Sequence, residues 1–179
     1  CHEFVVPGLI AAGWTQAQIV EQRYFTDGRI VPSDRGHRRL EGKRTDYLLE
    51  IEPGFPLAVV EAKRLFKLPG DGLQQAMRYA EILQLGFAYS SNGKGIVEHD
   101  FDSGGQRPVA AFPSPDELWR RYRAWKGLDG PRERQAAYPY FEDGSGKEPR
   151  YYQRIAIQRT VEAVTRGDRR ILLAMATGT

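Results

Sequence analysis

The chain has 179 residues, 41% of them hydrophobic and 27% charged, which fits a soluble globular domain with an appendage and leaves enough apolar material for a core. A net charge of +3 and a pI near 9.0 permit a nucleic-acid partner without demanding one. The single cysteine, Cys1, excludes internal disulfides and a cysteine-based zinc site and suits a cytoplasmic protein, and no apolar run approaches the ~18 residues of a membrane span.

His2 to Trp14 reads as a helix closed by Gly13, with Phe4, Val5, Leu9 and Ile10 as its apolar face and Pro7 inside it. Glu21–Phe25 reads as a first strand that stops at the Thr26-Asp27-Gly28-Arg29 turn. Arg35, His37, Arg38, Arg39, Lys43 and Arg44 then form a basic loop. It is either a path that draws a phosphate backbone towards Asp46 or a solvated charge run. His37 and His99 have no partners at ligand spacing and read as surface histidines.

Arg44 to Lys63, RTDYLLEIEPGFPLAVVEAK, reads as two strands around a Pro53-Gly54-Phe55-Pro56 turn. Leu57-Ala58-Val59-Val60 is an unbroken apolar run, as in a strand covered on both faces. Such a strand should not end in a carboxylate and an ammonium unless something there needs them; the alternative is that Asp46 and Glu61 are hairpin surface charges with Lys63 as their salt-bridge partner. Alternation puts Glu61 and Lys63 on one face, and Asp46 arrives from the neighbouring strand. Phosphodiester hydrolysis must bring water to an anionic phosphorus, and a hard cation such as Mg²⁺ takes one or two carboxylates, waters and phosphate oxygens. Asp46, Glu61 and the carbonyl of Ala62 are the candidate metal ligands. Lys63 is the candidate to orient water or offset charge on the phosphate.

A helix follows in DGLQQAMRYAEIL, with Asp71 as its expected N-cap and Leu73, Ala76, Met77, Ala80 and Leu83 as its core stripe. Gln75 and Tyr79 are neighbours on a face away from that stripe. They read either as a pair that contacts a sugar-phosphate backbone or braces the lysine, or as a solvated flank. Phe87–Ser90 is a further strand, and Asn92-Gly93 predicts a type I′-like hairpin into Gly95–Glu98. Ser114-Pro115 opens a helix through Leu118, Trp119, Tyr122 and Trp125, whose arginines 120, 121 and 123 read more readily as a packing helix's polar face than as DNA contacts. A linker rich in Gly, Pro and charge spans 139–150. Beyond it come a helix over Tyr151–Arg166, a buried strand Ile171–Ala174, and the sequence Ala176-Thr177-Gly178-Thr179.

Asp46 followed by Glu61-x-Lys63 on an apolar strand resembles the PD-(D/E)xK nucleases, with Thr45 standing where that name has proline. Gln75-x-x-x-Tyr79 resembles the additional motif of the RecB-like branch. The phrases GKRTDYLL, AVVEAKR, DGLQQAMRYAEIL and FAYSSNG together look like the nuclease domain of a type I restriction enzyme R subunit. The resemblance implies an α/β fold, a restriction-endonuclease-like mixed sheet flanked by helices. It implies an endonuclease domain over 1–138, a linker over 139–150, and the start of a superfamily 2 helicase over 151–179. Gln153 is then similar to a Q motif that reads adenine, and Thr177, Gly178 and Thr179 to the front of a phosphate-binding loop without its Gly-Lys-Ser/Thr. ATP thus belongs to a longer protein, and Mg²⁺ to this part. The implied partners are double-stranded DNA and the modification and specificity subunits, with no membrane. The family also carries a further acidic residue on the first helix, a pattern that Glu3 does not match. The alternative is an inactive DNA-binding or assembly module of the same complex. A junction resolvase of the same superfamily is disfavoured by the helicase-like segment.

Overall fold

The computed structural model describes residues 2–22, 24–25, 30–33, 36–39, 43–131, 133–138 and 149–175, with the backbone alone for residue 2 and for the strands between 24 and 43. In chain order these are α1 (His2–Ala11), β1 (Ile19–Glu21), β2 (Tyr24–Phe25), β3 (Ile30–Ser33), β4 (Gly36–Arg39), β5 (Lys43–Arg44), β6 (Tyr47–Glu52), β7 (Phe55–Ala62), α2 (Leu73–Leu83), β8 (Phe87–Ser91), β9 (Ile96–Asp100), β10 (Gln106–Val109), α3 (Pro115–Lys126) and α4 (Tyr151–Arg166). Six strands form one mixed sheet in the order β1-β6-β7-β8-β9-β10. Only β7 and β8 are parallel, joined across α2, and every other neighbour is antiparallel. Among the described residues no helix is long and apolar enough to cross a membrane.

Both faces of the central strands are covered, as the apolar run of β7 requires. Leu48, Val59 and Ala88 face α2, which meets them with Ala76 and Ala80. These two alanines are fully buried, and their small size lets the helix lie close to the sheet. On the opposite face α1 and α3 contribute Val5, Leu9, Leu118, Trp119 and Tyr122 against Leu49, Val60, Phe87 and Tyr89. Each large apolar side chain buried there stabilises the fold by about 1.5–3 kcal/mol.

Two polar clusters pin the outer helices. The buried Glu98 of β9 accepts from Tyr89 Oη at 2.6 Å, from Arg121 Nη1 and Nη2 at 2.9 and 3.0 Å, and from Arg107 Nε at 3.0 Å. Burial pushes its carboxyl up, but the hydrogen bonds from Arg121 and Tyr89 outweigh this and hold it below its ordinary value. Arg121 also reaches Asp100 at 2.7 Å, and Arg123 pairs with Glu133, so both are packing residues. At α4, Glu162 meets the Tyr122 hydroxyl and accepts from Arg159 Nη1 at 2.8 Å, while Arg159 Nη2 donates to the Gln84 carbonyl at 2.8 Å.

Several sequence expectations are corrected. The buried face of α1 is Val5, Val6 and Leu9, whereas Phe4 and Ile10 are exposed. The first strand is two: β1 pairs with β6, the chain breaks direction at Gln22 (φ 50°), and β2 pairs with β5. Only Pro53 and Gly54 (φ 81°) turn the β6–β7 hairpin, and Phe55 and Pro56 already belong to β7. Asp71 does not cap α2, because a 3-10 turn over Pro69–Gly72 intervenes and its carboxylate accepts instead from the Leu68 amide at 3.1 Å. Of Asn92-Gly93 only the glycine has positive φ, and Asn92 Oδ1 accepts from the amides of Lys94 and Gly95, so the turn is not type I′. His99 is buried, edge-on to Phe101 at 4.5 Å, because β10 covers that side of β9. The run Ile171–Ala174 is not a buried strand: no described strand flanks it, and Leu172 is 92% exposed. The basic loop is not continuous coil, since Arg38 and Arg39 lie on β4 and Lys43 and Arg44 on β5. The proposed linker falls largely outside the described residues.

Candidate active site

The site lies where β7 ends and α2 begins, at the carboxyl ends of the two parallel strands, the position at which open α/β sheets bind ligands. The β6–β7 register pairs Tyr47 with Val60, so the residue before β6, Asp46, falls opposite Glu61. Asp46 Oδ2 accepts from the Ala62 amide at 2.9 Å, which fixes the acidic residue to the strand that carries the other two groups. Glu61 is 1% exposed and its Oε1 has no hydrogen-bond partner. Its Oε2 lies 3.6 Å from Lys63 Nζ. Burial first, and then the negative charge of Asp46, push the Glu61 carboxyl up to about 8.

Lys63 Nζ donates to Gln75 Oε1 at 3.0 Å, and Gln75 Nε2 donates to the Tyr79 hydroxyl at 3.2 Å. The i, i+4 spacing on α2 thus braces the lysine, one of the alternatives the spacing left open. α2 approaches this closely because residue 72 is glycine. A Cβ there would stand 2.6 Å from Lys63 Cε, 2.7 Å from Ser90 Oγ and 3.2 Å from Glu61 Cβ. The Gly72 amide donates to Ser90 Oγ at 3.1 Å, and Ser90 pairs in register with Glu61. Sequence reasoning passed over both residues. Their signals were a glycine where a helix former belongs and a serine directly after the apolar start of β8, Phe87-Ala88-Tyr89.

The remaining candidates are not drawn into this cluster. Arg44 is exposed and donates to Gln22 Oε1 at 3.2 Å, and the side chains of Arg38, Arg39 and Lys43 lie outside the described residues. Gln153 Oε1 accepts from the Arg150 amide at 2.8 Å and so closes the first turn of α4. Thr177, Gly178 and Thr179 also lie outside the described residues. Glu3 is exposed, and among the described residues no three His, Cys, Asp or Glu side chains gather as a set.

A buried carboxylate oxygen without a donor, beside a second carboxylate, has the chemistry of a cation ligand rather than of a structural hydrogen bond. Over 182 residues the chain is 39% identical to the type I restriction enzyme EcoAI endonuclease subunit of Escherichia coli, in a match that covers 98% of this chain and 22% of that protein. The chain is homologous to the endonuclease subunits of type I restriction enzymes. A solved fragment assigned to the HsdR subunit of a type I restriction enzyme from Vibrio vulnificus YJ016 is 44% identical, with a TM-score of 0.87 over 100% of this chain and 34% of that one. The mixed six-stranded sheet and its flanking helices are therefore the fold of an HsdR fragment. No protein-family model matches the chain. The chain spans 22% of the length of the curated relative and 34% of the solved one.

Proposed function

We propose that this chain is the nuclease part of a type I restriction enzyme endonuclease subunit, a metal-dependent DNA endonuclease that hydrolyses phosphodiester bonds of double-stranded DNA. The observation that carries the reading is Glu61, a buried carboxylate with a free oxygen, set opposite Asp46 and 3.6 Å from Lys63. The donor set fits a magnesium ion, with Asp46, Glu61 and the Ala62 carbonyl as its protein ligands. When bound, such an ion polarises the phosphate and lowers the pKa of a coordinated water.

The residues have distinct work in this reading. Glu61, raised by burial, loses its proton when a cation compensates its charge. Lys63 presents an ammonium to the phosphate, held from behind by Gln75 so that little reorganisation accompanies the reaction. Tyr79 fixes the Gln75 amide so that its oxygen, not its nitrogen, faces the lysine. Residues 1–138 form the endonuclease domain, 139–150 a linker, and 151–179 the start of an ATP-driven motor. The longer subunit works with ATP and with modification and specificity subunits.

Because no third acidic side chain joins the pair among the described residues, a DNA-binding or assembly module without activity is the second reading. A plasmid-nicking assay in Mg²⁺ or Mn²⁺ separates the two. Cleavage is expected from the wild type and a loss of roughly a hundredfold or more from Asp46→Ala and Lys63→Ala. Cleavage unchanged in both variants sinks the assigned site, and binding without any cleavage favours the module.

A further inference from the structure

The chain leaves the active site through a short turn whose composition the phosphodiesterase reading does not use. Directly after Lys63 comes Arg64-Leu65-Phe66-Lys67-Leu68. The Lys67 amide donates to the Arg64 carbonyl at 2.9 Å, which puts Leu65 and Phe66 at the tip of a tight turn. The base of the turn is fixed. Asn92 Nδ2 donates to the Lys67 carbonyl at 2.7 Å, the Leu68 amide to Asp71 Oδ2 at 3.1 Å, and Pro69 abuts Gly95, where an added Cβ would lie 2.8 Å from its ring. Yet the apolar side chains point into water: Phe66 is 75% exposed, Leu68 72% and Leu65 45%. Arg64 and Lys67 on either side are exposed as well, and neither has an acidic partner among the described residues.

A firmly held turn that lifts an aromatic ring between two unpaired cations has two requirements for an occupant: negative charge at the flanks and a flat apolar surface between them. Duplex DNA offers both, phosphates outside and base faces within. The spacing agrees. Three residues of chain reach at most ~10 Å, about three base-pair steps of ~3.4 Å, so Phe66 meets the duplex within that distance of Lys63. We propose that Phe66, supported by Leu65 and Leu68, is a wedge that inserts against a base step beside the scissile phosphate, with Arg64 and Lys67 on the flanking phosphates. The inference rests on the endonuclease reading and adds to it a residue that sets the local shape of the substrate. A partly unstacked step lets the backbone enter the cleft between Asp46 and Lys63.

Phe66→Trp in the full chain supplies the test. Trp14 and Trp119 are buried and Trp125 half-buried, so the difference from wild-type emission isolates position 66. A short labelled duplex, titrated with calcium in place of magnesium, reports binding by anisotropy and stacking by fluorescence on one sample. The wedge requires that emission from the introduced indole be quenched and shielded from acrylamide as the duplex saturates. It also requires that Phe66→Ala bind about tenfold more weakly while unfolding at the wild-type urea concentration. If the duplex binds but the introduced indole stays bright and open to acrylamide, the wedge is refuted, and the turn faces something else, such as the remainder of a longer subunit. That result leaves the endonuclease reading standing, provided cleavage still depends on Asp46 and Lys63. No binding of the duplex at all overturns both.

Discussion

The Ala62 amide donates to Asp46 Oδ2 at 2.9 Å, so the acidic residue of one strand is fastened to the strand that carries Glu61 and Lys63 before any ligand arrives. Asp46 therefore has a structural and an electrostatic role, and two substitutions separate them. Asp46→Asn keeps an oxygen for the Ala62 amide and removes the charge; cleavage is expected to fall roughly a hundredfold or more with stability unchanged. Asp46→Ala loses the acceptor too and is expected to cost a further ~1 kcal/mol of stability. Urea unfolding beside the nicking assay reads both. Equal activity in wild type and Asp46→Asn removes the charge from the mechanism.

Gln75 accepts from Lys63 Nζ at 3.0 Å, and its own side chain is exposed. Its loss should leave the fold alone and loosen the ammonium. Gln75→Ala is expected to slow cleavage about ten- to a hundredfold, with DNA affinity and urea midpoint near wild type. Tyr79→Phe removes only the hydroxyl behind Gln75, and its effect should be the smaller of the two. A Tyr79→Phe defect larger than that of Gln75→Ala contradicts this order of support.

Gly72 is needed for space rather than for an unusual backbone angle, since its φ is −96°. The nearest obstacle to a Cβ is the Lys63 side chain, which can swing aside, and behind it Ser90 and Glu61, which cannot do so cheaply. Gly72→Ala is thus expected to cost about 1–3 kcal/mol of stability and to displace the lysine. The combination with Ser90→Ala, which opens room, should recover stability but not cleavage, because Lys63 remains displaced.

Glu61→Gln keeps the shape of the buried side chain and removes its charge. In the wild type a divalent cation that binds only the folded chain raises the melting temperature, by an amount equivalent to ~2.7 kcal/mol at a hundred times its Kd. The variant should show no such rise with Mg²⁺ or Mn²⁺, and chelator should lower the wild type to its metal-free value while leaving the variant unmoved. A cation shift of the same size in both proteins places the ion elsewhere.

The central part of this architecture was legible because each signal was local. The apolar run Leu57–Val60 ends in two charges, and that contrast, with Asp46 on the preceding strand, marks a covered strand and the end where the candidate site lies. Gln75 and Tyr79 announce their adjacency by helical spacing. What was not legible depended on which elements meet. Asp71 looks like a helix cap, but the competing 3-10 turn is stabilised by Pro69 and claims its carboxylate. His99 is buried beside β10, a strand of exposed Gln106, Arg107 and Pro108, and edge-on to Phe101, and nothing in those three residues advertises a strand. Ile171–Leu173 has the composition of a buried strand, but composition does not supply the neighbouring strands that would bury it. Gly72 was missed for the same reason: its value is set by three side chains, Glu61 of β7, Ser90 of β8 and Lys63 just past the end of β7.

Lys126 offers a test of the docking of α4 that is independent of the active site. Its ammonium lies 3.2 Å from the centre of the Trp125 ring, which favours the charged form, but burial, and then the Arg159 guanidinium, outweigh this and lower it from 10.5 to about 8. The unfolded chain keeps the ordinary value. Between about 8 and 10.5 the unfolded state therefore binds more protons than the folded one, and stability contributed by this group rises with pH across that window. Below it the cost of the charged lysine is fully present. Lys126→Met removes the group, so the variant should exceed wild-type stability at neutral pH, and the gap should close as pH climbs through the window. Urea unfolding of both proteins over a pH series measures the gap. In Arg159→Ala, which withdraws the neighbouring cation, the closing of the gap should shift to higher pH; a window left unchanged would mean that Arg159 of α4 does not set the environment of Lys126.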